Sequence, residues 1–348
     1  MAGPSRPWMI YGAYGFTGRL VAEEAVRRGH RPVLAGRDSA RLGQVAERHG
    51  LRAIAFSLED GERARVHLSG MACVLNAAGP FAETGPALIG ACLDTATHYA
   101  DLSGEFHHLR WVEALDEKAK RAGIVLLTGA GFGVTYGDCL ARRAVDLLPD
   151  ATHLRLSVAA ANAQTTPAVR RTVMEVLARG GYAVEAGQIE RRALAHETWR
   201  IGALPFAAAP LGELAALRRT TGVANIVVGR PIPARAARIV RALSPLIQGA
   251  LGLGAIRRLL SRDRPAPPLP APAGGWRSSL WAQAHNARGD RVALRLDTGE
   301  GYAATAEAAL ANIEALLTRD AIAGAMTPGL AFGAGLLPAL AHVTIAEI

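Results

Sequence analysis

The sequence predicts an α/β protein in two parts, an N-terminal doubly wound parallel sheet and a second α+β domain whose sheet is mostly antiparallel. Three observations carry this. Residues 9–21, MIYGAYGFTGRLV, read as a short buried strand, a glycine turn and the start of a helix. From there to Thr128, short apolar runs alternate with helical patterns, as successive βα units require. After Thr152 the pattern becomes an alternation, with Leu154, Leu156, Val158 and Ala160 on one side.

The glycine turn justifies the first element chemically. Gly12 allows a tight turn after Tyr11, Gly15 lets the backbone approach a pyrophosphate, and Gly18 lets the helix pack closely on its strand. N–H groups at the helix start would face the anion, and Tyr14, Phe16 and Thr17 complete the candidate phosphate loop. The helical pattern over Leu20–Arg28 stops at Gly29, and Arg31–Gly36 supplies a second buried strand, which closes one βαβ unit of Rossmann type. Where an NAD site places a carboxylate on the ribose 2′-hydroxyl, this chain has Arg37, with Arg41 one helical turn further on. Two guanidinium groups suit a 2′-phosphate, so the expected cofactor is NADP(H); the plainer alternative is a pair of solvated arginines at a helix start.

A helix over Asp38–His49, a strand over Arg52–Phe56 and an apolar strand over Met71–Ala78 continue the order. The last of these runs into Gly79-Pro80-Phe81 at the carboxyl end of the sheet, where open α/β sheets bind ligands. Ala78, Gly79, Pro80 and Phe81 are therefore placed beside the nicotinamide or its ribose, the alternative being a simple strand-to-helix turn. After a helix over Pro86–Asp94, residues 97–105 (THYADLSGE) form the densest polar cluster of the chain, and Tyr99 is a candidate proton donor. Ser103 and Glu105 equally suit the cap and first turn of a helix over Phe106–Ala122, on which His107 and His108 read as surface histidines. Gly123–Thr128 is the sixth strand. The glycine-rich stretch Gly129–Asp138 then leads to a helix over Cys139–Leu147, and its Tyr136 and Asp138 are the other candidate catalytic residues; Asp138 also fits a helix cap.

Five segments in this order, 11–18 (YGAYGFTG), 35–37 (AGR), 76–81 (NAAGPF), 98–105 (HYADLSGE) and 131–133 (GFG), resemble the saccharopine dehydrogenase-like NADP oxidoreductases, especially their bacterial trans-acting enoyl reductase branch. The resemblance continues more weakly in 210–213 (PLGE), 221–226 (TGVANI) and Thr327-Pro328. It implies a Rossmann-type domain that binds a nicotinamide cofactor and a mixed α/β domain covering it. Tyr14 stands where the family commonly has threonine, and Ser57 where it often has an acidic residue.

Composition narrows the chemistry. With 348 residues, half of them apolar, the chain suits two domains, placed at 1–138 and 139–325, with 326–348 expected to pack back on the first. No run of 18 apolar residues exists, and the fold-forming motif begins near the first residue given, so a cytoplasmic protein without a cleaved leader is expected. Cys73, Cys92 and Cys139 are widely spaced and suggest neither a disulfide framework nor a metal site. Lys118 and Lys120 are the only lysines, so a Tyr-x-x-x-Lys pair is excluded, because positions 114 and 116 hold Ala114 and Asp116. In the resemblance, the shortage of lysine also argues against the lysine-dependent chemistry of the family's namesake.

In the second domain, Thr166–Arg179 reads as an amphipathic helix, Trp276–His285 and Arg291–Thr298 as a hairpin, and Ala303–Leu317 as a helix across that sheet. A basic insert at about 230–264 carries much of the net charge of +9: Arg218 to Arg264 holds ten arginines and one carboxylate, Asp263. Within it Ala242–Ile256 is uncharged and bracketed by Arg238, Arg241, Arg257 and Arg258. That is too short to span a bilayer but suits a peripheral membrane contact over 236–258; a buried hairpin or homodimer contact is the alternative. Arg264–Pro272 would be an extended tether, and with no aromatic residues in the insert a nucleic-acid partner is not expected. The expected function is an NADPH-dependent reductase that delivers hydride to a C=C, C=O or C=N of an apolar, lipid- or carrier-linked substrate, with Tyr99, Tyr136, Asp138 or water giving the proton. The alternative is an NADP(H)-binding redox sensor or membrane-peripheral scaffold without turnover.

Overall fold

The structure is a computed structural model that describes residues 6–161, 174, 177–252, 277–319 and 322–348. In chain order it begins β1 (Trp8–Tyr11), α1 (Phe16–Arg27), β2 (Val33–Gly36), α2 (Ser39–His49), β3 (Ala53–Ala55), α3 (Gly61–Leu68), β4 (Cys73–Asn76), α4 (Phe81–Thr95), β5 (His98–Asp101), α5 (Phe106–Glu113), α6 (Asp116–Ala122), β6 (Val125–Leu127) and α7 (Phe132–Leu147). There follow β7 (His153–Ala159), β8 (Gly181–Glu185), β9 (Gln188–Arg192), β10 (Thr198–Ile201), β11 (Leu204–Ala208), α8 (Gly212–Thr221), β12 (Asn225–Pro231), α9 (Ala234–Ala242) and α10 (Ser244–Gly252). The chain ends with β13 (Ser278–His285), β14 (Arg291–Thr298), α11 (Gly301–Thr318), β15 (Gly324–Met326), α12 (Pro328–Phe332) and β16 (Thr344–Glu347).

Two compact units result, one from residues 1–135 and 302–340, the other from 136–301 and 341–348. The first holds a parallel sheet in the order β15-β6-β5-β4-β1-β2-β3. Strand order reverses at β1, which pairs with β2 on one side and β4 on the other, so the ligand crevice of such a sheet lies beyond the carboxyl ends of β1 and β4. All four residues of β1, β2 and β4 are buried, the mark of strands covered on both faces, whereas edge strand β3 is not. Met9, Val33, Val74, Leu88, Tyr99 and Leu126 belong to one apolar core there.

The second unit holds a nine-stranded sheet in which β7 pairs parallel with β12 and the other pairings are antiparallel. The expected hairpin is present as β13 and β14, turned by Asn286, whose side-chain oxygen accepts from the N–H groups of Arg288 (3.0 Å) and Asp290 (2.9 Å).

Several boundaries differ from the sequence reading. The helix expected over 106–122 is two helices, broken at Ala114-Leu115. The helix expected from Pro86 begins at Phe81, and that expected from Cys139 begins at Phe132. Helix α11, expected on the hairpin sheet, belongs to the first unit, where Glu314 bonds Arg28 and His30, each at 3.0 Å, and Asn312 donates to Thr135 at 3.0 Å. The terminal segment divides: β15 extends the parallel sheet beside β6, while β16 pairs with β14 in the second unit. The expected helix over 166–179, the insert beyond 252, the tether and Trp276 lie largely or wholly outside the described residues. Among those described, no helix is long and apolar enough to cross a membrane.

Candidate active site

The loop between β1 and α1 is built by close approach. Gly12 has φ 85°, and its N–H donates to Ala35 at 2.8 Å, which pulls the turn over the end of β2. A Cβ on Gly12 would stand 2.8 Å from that of Ala78, and one on Gly18 would stand 2.2 Å from the Gly12 carbonyl oxygen. Only glycine fits either place. Helix α1 opens with Gly15 as its cap residue and no side-chain hydrogen bond, so backbone donors and the positive end of the helix dipole are left for an anion. This cradle fits the pyrophosphate of a dinucleotide. Phe16 is half exposed beside it and meets Tyr302 edge to face, ring centres 4.8 Å apart. Tyr302 was not among the residues singled out from the sequence, and nothing local could have flagged it.

At the end of β2 the ring of Tyr14 lies over Gly36, where a Cβ would come within 2.5 Å of Cε1, and the Arg41 guanidinium stacks on the same ring at 4.8 Å. Arg37 is exposed at this edge. The neighbouring carboxylate, Asp38, caps α2 by accepting from the Arg41 N–H at 3.0 Å. The local charge is therefore cationic, which suits a 2′-phosphate. Tyr11 beneath has its phenol pushed up to about 12, by burial and by Tyr14, against the pull of Arg37, so it stays a neutral donor, here to the Phe56 carbonyl at 3.3 Å.

The carboxyl ends of β4 and β5 form a hydrogen-bonded block. Asn76 accepts from the Ala78 N–H at 3.0 Å and donates to Thr84 at 2.9 Å and to the Tyr99 hydroxyl at 3.2 Å. Thr84 in turn donates to the Ala78 carbonyl at 2.6 Å. The Glu105 carboxylate accepts from the N–H groups of Phe81 (3.0 Å) and Ala82 (3.2 Å), so it caps α4 rather than its own helix. The expected cap at Ser103 is instead a turn, its hydroxyl accepting from the Glu105 N–H at 3.1 Å. Residues 78–81 are thus fixed from two directions.

Below them Asp101 is wholly buried. Its Oδ1 accepts from Ser103, Thr128 and Gly129, each at 3.0 Å, and its Oδ2 meets His108 Nε2 at 2.7 Å. Burial pushes this carboxyl up, but the His108 charge and the converging donors outweigh it and hold it below its usual range. Burial likewise opposes charge on His108, yet Asp101 and Glu105 hold the imidazole above its usual value. His108, expected at the surface, is a core residue: its ring packs under Gly85, where a Cβ would sit 2.5 Å away.

The three candidate proton donors are all fully buried. Tyr99 sits in the core with its hydroxyl on Asn76, and burial beside Asp101 pushes its phenol well up. Tyr136 and Asp138 lie inside α7, in the second unit, so Asp138 is not a helix cap. In that unit Glu213 is also buried, which pushes its carboxyl up; a Cβ on Gly137 would lie 3.6 Å from its Cγ.

Fold and site together define the first unit as a Rossmann-type dinucleotide-binding domain. Residues 8–127 match the family model of the saccharopine dehydrogenase NADP binding domain, and four of the five motifs, all but 131–133, fall within them. A trans-acting enoyl reductase of Mycobacterium tuberculosis is 33% identical over 150 residues, 40% of this chain and 36% of that protein. A probable mitochondrial saccharopine dehydrogenase-like oxidoreductase of Arabidopsis thaliana is 29% identical over 146 residues, 37% of this chain and 32% of that protein. The chain thus spans about a third of the length of these curated relatives. The fold extends further: saccharopine dehydrogenase (L-Glu forming) of Saccharomyces cerevisiae superposes with a TM-score of 0.66 over 99% of this chain and 100% of its own, at 13% identity.

Proposed function

We propose that the protein is an NADPH-dependent reductase whose acceptor is an activated C=C, C=O or C=N bond in an apolar, lipid- or carrier-linked substrate. The observation that carries the reading is the juxtaposition, at the crevice of the parallel sheet, of an open helix N-terminus, a cationic edge at Arg37 and Arg41, and the braced turn 78–81. The names of the mycobacterial relatives favour a C=C acceptor.

In this reading the turn at Gly12, Gly15 and Gly18, with Phe16 and Thr17, holds the pyrophosphate. Arg37 and Arg41 hold the 2′-phosphate, with Tyr14 as the platform under Arg41. Ala78, Gly79, Pro80 and Phe81 border the nicotinamide ribose, and Asn76 and Glu105 keep them in place. The bound cofactor supplies the hydride; the chain supplies position and field. Tyr99 acts on Asn76 rather than on the substrate, and with Tyr136 and Asp138 also buried the proton comes from water. That same burial favours one alternative, an NADP(H)-binding sensor without turnover.

Calorimetric titration with NADPH and then NADH, followed by nicotinamide absorbance during addition of enoyl thioesters, ketones and imines, separates the readings. Selective NADPH binding with oxidation by one acceptor class is expected. Binding without oxidation by any class would favour the sensor, and equal affinity for NADH would refute the role given to Arg37 and Arg41.

A further inference from the structure

We propose that α9 and α10 form a docking surface for an anionic lipid membrane. The pair is held from its inner side. Ala237 joins a small apolar core with Ala195 and Ala207, flanked by Ile232 and Val240. The Ser244 hydroxyl accepts from the Leu194 N–H and from the Gln248 side chain, each at 2.8 Å, and Arg191 donates to Gln248 at 2.6 Å. Leu251 is buried. The helices are therefore part of the folded unit, with their outer side committed to nothing among the described residues.

That outer side is apolar and cationic at once. Ile239 is 60% exposed, Leu243 43% and Leu246 70%, all within one short stretch, whereas the other large apolar side chains that are exposed lie apart along the chain. Single exposed apolar residues are ordinary; a cluster marks a contact. Arg235, Arg238 and Arg241 are exposed beside them and make no ion pair among the described residues. In α9, Arg235, Arg238, Ile239 and Ala242 stand at i, i+3, i+4 and i+7 and so share a helix face. No carboxylate occurs between Glu213 and Asp263, so nothing along this segment neutralises them.

The partner must accept leucine and isoleucine while meeting guanidinium groups with negative charge. The headgroup zone of an anionic bilayer does both. A second copy docked through the same face would set arginine against arginine with no carboxylate between them. Nucleic acid would leave the apolar side chains unmatched and would find no aromatic residue between Phe206 and Trp276 on which to stack bases.

The test is co-sedimentation of the full chain with vesicles of phosphatidylcholine alone and of phosphatidylcholine mixed with phosphatidylglycerol, at low and physiological salt. Binding to the mixed vesicles only, weakened by salt, is expected. Arg238→Ser with Arg241→Ser should lower the partition coefficient about 30-fold, since each basic residue near an anionic surface contributes roughly a fivefold factor. Ile239→Ser with Leu246→Ser should lower it at least about tenfold by removing inserted apolar area. Both pairs alter exposed residues, so melting temperature and NADPH titration should be unchanged and report an intact fold. Equal binding to neutral vesicles, no binding to either, or binding indifferent to both pairs would overturn the proposal. So would a dimer abolished by the same substitutions, or a short DNA duplex bound through the arginines alone.

Discussion

His108→Ala tests the buried pair beneath the turn 78–81. The substitution leaves the wholly buried Asp101 carboxylate with neutral donors only, those of Ser103, Thr128 and Gly129. Removing one partner of a buried ion pair costs about 3–5 kcal/mol, because the remaining charge is stranded. For a unit of this size, at roughly 2–4 °C per kcal/mol, the first unit should melt about 6–20 °C lower. Sign and pH follow from the shifts. His108 is raised in the folded state, so its contribution is complete below the unfolded value of about 6.5 and fades as pH rises through the folded value. Asp101 is lowered, so its contribution is present above its unfolded value of about 3.9 and fades as pH falls through the folded one. Calorimetric melting of wild type and variant from about pH 6 to about pH 9 should show the gap widest at the acid end and narrower at the alkaline end. Adding Asp101→Asn to the variant should recover part of the loss, since the stranded charge is gone. A gap constant with pH, together with simple additivity of the two substitutions, would refute a charged pair at this place.

Arg37→Glu should weaken NADPH at least about tenfold while leaving NADH within about threefold, as expected from loss of a charge-assisted contact; calorimetric titration with both cofactors checks it, and equal losses would count against this residue. Gly18→Ala would put a methyl 2.2 Å from the Gly12 carbonyl oxygen. It should destabilise the first unit by about 1–3 kcal/mol and lower NADPH affinity; an unchanged melting curve would show that the turn is not packed as described. Tyr99→Phe takes one acceptor from Asn76, at about 1 kcal/mol, and should leave turnover with the accepted substrate within about threefold. A fall of a hundredfold or more in turnover would return Tyr99 to the role of proton donor.

What the sequence revealed was local. β1, the glycine turn, α1 and β2 follow one another without a gap, and each carries its own signal: buried runs, glycines at fixed spacing, a helical face, then arginines at the strand end. Where function depends on residues brought together from afar, the signal vanished. His108 looked like a surface residue because its partner Asp101 ends a strand, across a turn from the helix that carries His108, and the adjacent His107 made the pair read as polar. Glu105 was read as the first turn of the helix that follows it, but its carboxylate caps α4, which precedes it in the chain. The start of α7 was hidden by Gly129, Gly131 and Gly133, whose loop-like composition is overridden by Thr135 Oγ1, which bonds Gly129 and Asn312. A strand of three residues such as β15 has no period to detect; it exists because β6 offers an open parallel edge.

The chain passes from one unit to the other at 135/136, 301/302 and 340/341. The NADP-binding unit is therefore a split domain, interrupted by the whole of residues 136–301, and its last strand and α11 are synthesised long after its glycine turn. A ribosome that has released residues 1–135 has made five strands of the parallel sheet on the β3 side of β6 and β6 itself, but neither β15 nor the helix that anchors Thr135. The parallel sheet is thus completed late in the life of the polypeptide, and a fragment cut at the apparent end of the Rossmann pattern would carry every recognisable motif yet leave the sheet unfinished.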